Sequence, residues 1–105
     1  MITFGEGKYK VNLERKELGD DLVYILSGGE KPHIGGIAIS QPTKETKVIR
    51  LKGHYDVIVL KPIAEAASGK FGRRVVVLGG VHVDNATQKE INLLVKNCKE
   101  LIKYI

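Results

Sequence analysis

Four glycines fall within nine residues in the segment 28–36, which lies between the apolar runs 22–26 and 37–39. An ordinary β-hairpin loop needs only about two to five residues and one such glycine. Glycine lets a backbone adopt positive φ or come close to another group, and Pro32 fixes its own φ and favours an extended Lys31. We therefore predict that this loop contacts a ligand. The alternative is a long hairpin loop with ordinary turn chemistry.

The composition is that of a single globular domain spanning residues 1–105. Hydrophobic residues make up 43% of the chain and charged residues 28%, which is ordinary for such a domain. No apolar run approaches the roughly 20 residues needed to cross a bilayer, and a single cysteine cannot form an internal disulfide. We therefore expect a cytoplasmic protein with no membrane partner. The net charge of +5 suggests anionic partners without identifying them.

The first half of the chain has the alternating pattern of a β-sheet. The side chains of Tyr9, Val11 and Leu13 share one face of a strand that starts near residue 8. Four strands are predicted, over residues 8–14, 22–27, 36–40 and 46–52. The fourth strand has charged residues at both ends and the apolar residues Val48, Ile49 and Leu51 between them, and its lysines suit the edge of a sheet. Residues 1–7 are expected to be a lead-in.

A helix is predicted over 56–71, where apolar residues recur at intervals of three and four. Asp56 is a candidate helix cap, and Gly72 is the expected stop. Three β-branched residues after Asp56 favour a strand instead, and Pro62 is unfavourable inside a helix. A later helix start at Lys61 therefore stays open.

A strand and a second helix end the chain. A continuous apolar run predicts a central strand within 73–83, and Thr87 with Glu90 forms a capping box at the start of the last helix. Cys98 lies on the apolar stripe of that helix and is interpreted as a core residue. The order β-β-β-β-α-β-α predicts an α+β two-layer sandwich, with a mostly antiparallel sheet and two helices packed on one face. Two helices cover little of the sheet, so we expect a homo-oligomer.

The three histidines, His33, His54 and His82, each lie beside glycine or proline at the end of a predicted element. If these loops meet at one end of the sheet, they form a pocket rimmed by imidazoles, which can bind a metal, donate to a phosphate or carry a proton. A metal-dependent enzyme with these three ligands, supported by Asp84 or Asp56, is one hypothesis. The alternative for each histidine is a local hydrogen bond within its own loop.

Asp84 and Asn85 lead into the last helix, whose N-terminal dipole favours an anion. The Asp84 carboxylate argues against a phosphate directly beside it and suits a hydroxyl, a ring nitrogen or a histidine. These residues could equally form a cap and a turn. Lys31, Arg73 and Arg74 are candidate phosphate contacts, although paired arginines also commonly begin a solvated strand.

With these motifs together, the chain resembles the LpdD-like family of prenylated-flavin chaperones, which are associated with UbiD-like decarboxylases. The resemblance depends on the Gly-Gly-x-x-Pro-His-Ile-Gly loop over 28–35, on an apolar strand followed by Pro42, and on the segment 80–87 before the final helix. The sequence Pro-Ile-Ala-Glu over 62–65 also fits. The similarity extends from about Tyr9 to the C-terminus.

The resemblance implies a non-catalytic cofactor chaperone that binds prenylated flavin mononucleotide, or its FMN precursor, and delivers it to a UbiD-like decarboxylase. The positions that match the family pattern are Gly28, Gly29, His33, Gly35, His82, Asp84 and Asn85. Lys31 can add a phosphate contact, and Tyr24 or Tyr55 could stack on the flavin ring. A nucleic-acid-binding domain is a third hypothesis, which the scattered basic residues do not favour.

Overall fold

The computed structural model describes residues 1–51 and 56–105. Six strands form one sheet in the order β1-β2-β3-β6-β4-β5. The strands are β1 (Ile2–Phe4), β2 (Val11–Leu18), β3 (Asp21–Gly29), β4 (Gly36–Ser40), β5 (Lys47–Arg50) and β6 (Val75–His82). The helices are α1 (Val57–Phe71) and α2 (Gln88–Leu101), and short 3-10 helices cover Gly7–Tyr9 and Ile102–Tyr104.

The predicted α+β fold is confirmed. β3 and β6 pair in parallel, which the α1 crossover permits, and the other four pairings in the sheet are antiparallel. Buried side chains of β2, β3, β4 and β6 form one core with both helices. β6 lies at the centre of the sheet, as predicted from its continuous apolar run.

The N-terminal region differs from the prediction. Residues 2–4 are not only a lead-in but form the short edge strand β1, which pairs with β2. The second strand begins at Val11, because Tyr9 closes a 3-10 turn in which its amide donates to the Glu6 carbonyl at 3.2 Å. The Tyr9 side chain nevertheless packs against the core.

β5 lies at the edge of the sheet, as its lysines predict, and its apolar side chains are largely exposed. Val48 is 45% exposed, Ile49 52% and Leu51 40%. The reason is that an edge strand has one neighbour, β4, and little of the helical layer reaches it. Alternation in the sequence identifies a strand, and the number of its neighbours decides how much of it is buried.

Helix α1 runs from Val57 to Phe71 and includes Pro62, so the later start at Lys61 is wrong. Its face carrying Leu60, Ile63, Ala64 and Ala67 is fully buried against the sheet. This packing outweighs the low helix propensity of the β-branched first turn. Gly72 ends the helix in a left-handed conformation with φ of 64°, as predicted.

Helix α2 begins with the predicted capping box. The Glu90 amide donates to Thr87 Oγ1 at 3.2 Å, and the Thr87 amide donates to Glu90 Oε1 at 3.1 Å. Cys98 is buried on the inner side of this helix, as expected. Within the described residues, neither helix has the length and hydrophobicity that a membrane crossing requires.

Candidate functional site

A cavity of about 290 Å³ opens at the end of the sheet where β6 stops, between the first turns of α1 and α2. Its polar lining comes from His33, Asp56, His82 and Asn85. Its apolar lining is mainly aliphatic and comes from Ile58, Val59, Val81, Val83, Ala86, Ile91, Leu94 and Val95. The cavity thus combines an apolar wall with one polar side, which is the usual make-up of a small-molecule site.

The loop that precedes β4 is fixed against the end of β6. The amides of Glu30 and Lys31 donate to the His82 carbonyl at 2.7 and 3.2 Å, and the Gly35 amide donates to the Gly79 carbonyl at 2.8 Å. This places the imidazoles of His33 and His82 edge to face, with their ring centres 6.1 Å apart. The expectation that these two histidines share one rim is confirmed. His54 and Tyr55 lie outside the described residues.

The His33 imidazole is paired with the carboxylate of Asp56. Nε2 of His33 lies 3.2 Å from Oδ2 of Asp56, and the other carboxylate oxygen accepts the Val81 amide at 3.0 Å. The Asp56 side chain is 9% exposed and that of His33 22%. Polar side chains with so little exposure are tolerated only when hydrogen bonds hold them. The pair is therefore a fixed polar element in the cavity wall.

Asp56 occupies the N-cap position of α1, as the sequence suggests, but its side chain does not act as a cap. The side chain makes no capping bond to α1 and instead reaches across to β6 and His33. An aspartate before an apolar helix has the same sequence pattern in both roles. The pairing of β4 with β6 ends at Gly79, and β6 continues past the start of β4. The Val81 amide is therefore available for this carboxylate.

Two glycines make room for the pair of His33 and Asp56. A Cβ atom at Gly35 would lie 2.0 Å from Asp56 Oδ2, and one at Gly80 would lie 2.9 Å from both Asp56 and His33 Nε2. Any side chain at these positions would displace the carboxylate. Gly35 therefore contributes to the site by leaving space for the Asp56 carboxylate.

The two glycines at the start of the loop have a different environment. Gly29 has φ of 74°, and a Cβ there would lie 2.2 Å from the His82 carbonyl oxygen. A Cβ at Gly28 would lie 2.6 Å from the Lys10 carbonyl oxygen. Both glycines pack against neighbouring strands and are not among the residues that line the cavity. In this structure they set the path of the loop.

An ion-pair network, which we call the outer rim, adjoins the cavity at His82; its other members, Lys31 and Asp84, are not among the residues that line the cavity. Asp84 Oδ2 lies 3.1 Å from Lys31 Nζ, and Oδ1 lies 3.0 Å from His82 Nε2. Hydrogen bonds from Lys31 and then from His82 lower the pKa of the Asp84 carboxyl below its usual value. Glu30 accepts the Asp84 amide at 3.0 Å, which ties the two loops together. Asp84 thus orients a histidine, one of the roles the sequence suggested.

Other candidates lie elsewhere. Arg73 and Arg74 precede β6, at the opposite end of the strand from His82, and pair with Glu17 at 3.6 Å and Asp21 at 3.4 Å. They therefore begin a strand and do not reach the cavity. Tyr24 is 1% exposed in the core, so it offers no ring for stacking at this cavity.

Within residues 1–51 and 56–105, no three histidine, cysteine, aspartate or glutamate side chains are grouped so as to hold a metal. The aliphatic wall is the part of the site that sequence reasoning missed. Ile91, Leu94 and Val95 belong to the apolar stripe of α2 on which Cys98 lies; Leu94 is buried in the core, and all three also line the cavity. The partial exposure of this stripe, with Ile91 42% exposed, is a property that spacing alone does not reveal.

Comparison with known proteins gives one family. The family model for the prenylated flavin chaperone LpdD-like domain matches residues 5–105, nearly the whole chain. A search of curated proteins finds no significant match.

Proposed function

The chain belongs to the LpdD-like family of prenylated flavin chaperones, and from this we propose that it binds prenylated flavin mononucleotide, or FMN, in the cavity at the end of β6. We further propose that it delivers this cargo to a UbiD-like decarboxylase in the cytoplasm and carries out no reaction of its own. The observation that carries the proposal is the juxtaposition of His33 and His82, with their ring centres 6.1 Å apart, over an aliphatic cavity.

The chemistry of the lining suits a flavin. The dimethylbenzene edge and the prenyl-derived ring are apolar and match the aliphatic wall of α1 and α2. The pyrimidine edge carries hydrogen-bond donors and acceptors, which match the imidazoles and the Asn85 amide. Cavities that enclose whole ligands have volumes of about 300–1,000 Å³. At about 290 Å³, this cavity is large enough for a ring system and leaves a ribityl phosphate outside.

The phosphate is assigned to the rim. Lys31 is a cation there and His82 can donate a hydrogen bond, and both are paired with Asp84. A phosphate must compete with that carboxylate, which limits its contribution to affinity. A carrier needs such a limit, because cargo that is bound too tightly is not released.

The entrance to the cavity provides a surface for delivery. Ile58 is 56% exposed and Ile91 42% exposed, and both line the cavity. An apolar entrance of this kind favours contact with another protein surface. Docking there would bring the open side of the cavity against the cofactor site of the decarboxylase, so the flavin need not pass through bulk water.

The experiment is a transfer assay with purified components. Apo-decarboxylase of the UbiD-like class is mixed with limiting prenylated FMN, with and without this protein, and recovery of decarboxylation is followed. The proposal expects faster recovery with the protein present, and binding of prenylated FMN to the protein alone by fluorescence or calorimetry. Absence of binding at millimolar prenylated FMN and FMN would overturn it. Binding with unchanged recovery would remove the delivery step.

A further inference from the structure

The face of the sheet opposite the helices is apolar. One row of side chains crosses it in register, from Glu14 through Ile25, Leu78, Ile37 and Ile49. The next row runs from Lys16 through Val23, Val76 and Ile39 to Lys47. We call these two rows the outer face. Their seven aliphatic side chains are half-buried or exposed, whereas the alternate residues Leu22, Tyr24, Val75 and Val77 are fully buried under the helices.

Both helices pack on the opposite face of the sheet, with the alternate residues of these strands. The partly buried apolar residues that contact the core do not include any of its seven aliphatic side chains. Neighbouring strands are about 4.8 Å apart and alternate residues about 7 Å apart, so the seven form one continuous strip. A continuous apolar strip on an otherwise charged small domain marks an interaction surface.

The charges at one end of the strip identify the occupant. Glu14 and Lys16 end the two rows on β2 and lie 3.1 Å apart, with side chains 45% and 60% exposed. Consider a twofold axis that lies in the plane of the interface, runs perpendicular to the strands and passes midway between the two rows. This axis places Glu14 of each copy opposite Lys16 of the other copy. The same operation packs the Ile25 row on the Val23 row, in the aligned packing of two sheets about 10 Å apart.

We propose that the outer face packs against the same face of a second copy of this chain, so that the protein is a twofold-symmetric dimer with a four-layer order of helices, sheet, sheet, helices. The cavity lies on the helical side of each sheet, between α1 and α2. Both cavities therefore stay open in the dimer. This inference is independent of the proposed function, because it requires no ligand.

The test is the mass of the native protein in solution, by sedimentation equilibrium across the micromolar range. The expected result is twice the chain mass of 11.6 kDa at high concentration. A folded monomer throughout that range would overturn the proposal. The proposal would also be overturned if the protein is a monomer that binds the decarboxylase through this face. Loss of that binding in Leu78→Glu would show this.

Variants test the geometry. Leu78→Glu, at the centre of the outer face, is expected to weaken the dimer by about 100-fold or more. Its matched control is Leu93→Glu, because Leu93 is 38% exposed on α2, away from this face. The control is expected to leave the dimer intact.

A charge swap tests the axis without altering the aliphatic strip. Glu14→Lys and Lys16→Glu are each expected to raise the dissociation constant of the dimer by about tenfold, because each creates like charges across the interface. The double variant restores the pairs and is expected to return the constant to the wild-type value. A double variant as weak as the single ones would overturn the proposed register. These exposed positions remain informative even if Leu78→Glu does not fold.

Discussion

Nε2 of His33 lies 3.2 Å from Oδ2 of Asp56, joining two residues that are 23 positions apart in the sequence and belong to different elements. The carboxylate also accepts the Val81 amide at 3.0 Å, beyond the start of β4. One buried side chain thus links the glycine-rich loop, the start of α1 and the end of β6. The cavity is positioned by this link, so loop and helix cannot move apart without breaking it.

Replacement of Asp56 tests the link. Asp56→Ala removes the acceptor of a part-buried amide and the partner of His33, and we expect the free energy of unfolding to fall by about 1–3 kcal/mol. Asp56→Asn keeps one oxygen for the Val81 amide, and we expect a smaller loss. Urea denaturation at pH 7 measures both. Asp20→Ala, in the exposed β2–β3 turn, is the control and should change stability little.

A methyl group at Gly35 tests the space around the pair. Gly35→Ala would place a Cβ 2.0 Å from Asp56 Oδ2, and we expect a loss of about 1–3 kcal/mol in stability. Gly69→Ala is the matched control, because Gly69 lies in helix α1 and a Cβ there would meet no atom within 4 Å. We expect that control to stabilise the protein by about 0.5–1 kcal/mol, through helix propensity. Equal effects of the two variants would contradict this account.

The fold class could be predicted from the sequence because its signals are local. Alternation gave the strands, and Thr87 with Glu90 gave the start of α2. The parallel pairing of β3 with β6 follows from no local signal, since it joins segments about fifty residues apart. Asp56 shows the limit most clearly, because its partner is an amide that only the register of the sheet leaves unpaired.

The candidate site was predictable in part for the same reason. His33 and His82 could be expected at one rim, because loops at the ends of neighbouring strands meet. The role of Ile91 in the cavity wall could not be predicted, since helical spacing identifies an apolar face and not the surface it meets.

Glu90 is expected to make the stability of the protein depend on pH in the acidic range. The Thr87 amide, the Tyr9 hydroxyl and the Lys8 ammonium lower the pKa of the Glu90 carboxyl from 4.5 to about 2. A carboxyl whose pKa is depressed by folding stabilises the native state fully above pH about 4.5 and loses that contribution as the pH falls toward 2. Glu90→Gln should therefore be less stable than wild type at pH 6. The difference in their stability should shrink as the pH falls from about 4.5 to about 2.

The control for Glu90 is Glu45→Gln, at an exposed position in the link between β4 and β5. Thermal unfolding from pH 2 to pH 7 measures all three proteins. A stability difference between wild type and Glu90→Gln that stays constant across this range would contradict the account.

Cys98 should be inert in the native protein. Burial, with a smaller contribution from the Asp56 carboxylate, raises the pKa of the Cys98 thiol to about 12. The nucleophilic thiolate is therefore scarce at neutral pH. We expect slow labelling by a thiol reagent at pH 7.5 and rapid labelling in urea. Equal rates in the two conditions would show that α2 does not pack as described.

The most direct test of the central claim is a fluorescence titration of three proteins with prenylated FMN: the wild type, Val95→Trp and Leu93→Trp. Val95 lines the cavity, whereas Leu93, two residues away on α2, is exposed and does not. If the flavin ring occupies the cavity, Val95→Trp fills that space and raises the dissociation constant by about tenfold or more, while Leu93→Trp binds like the wild type. Equal affinity of Val95→Trp and the wild type, with both folded, would place the flavin elsewhere and contradict the account.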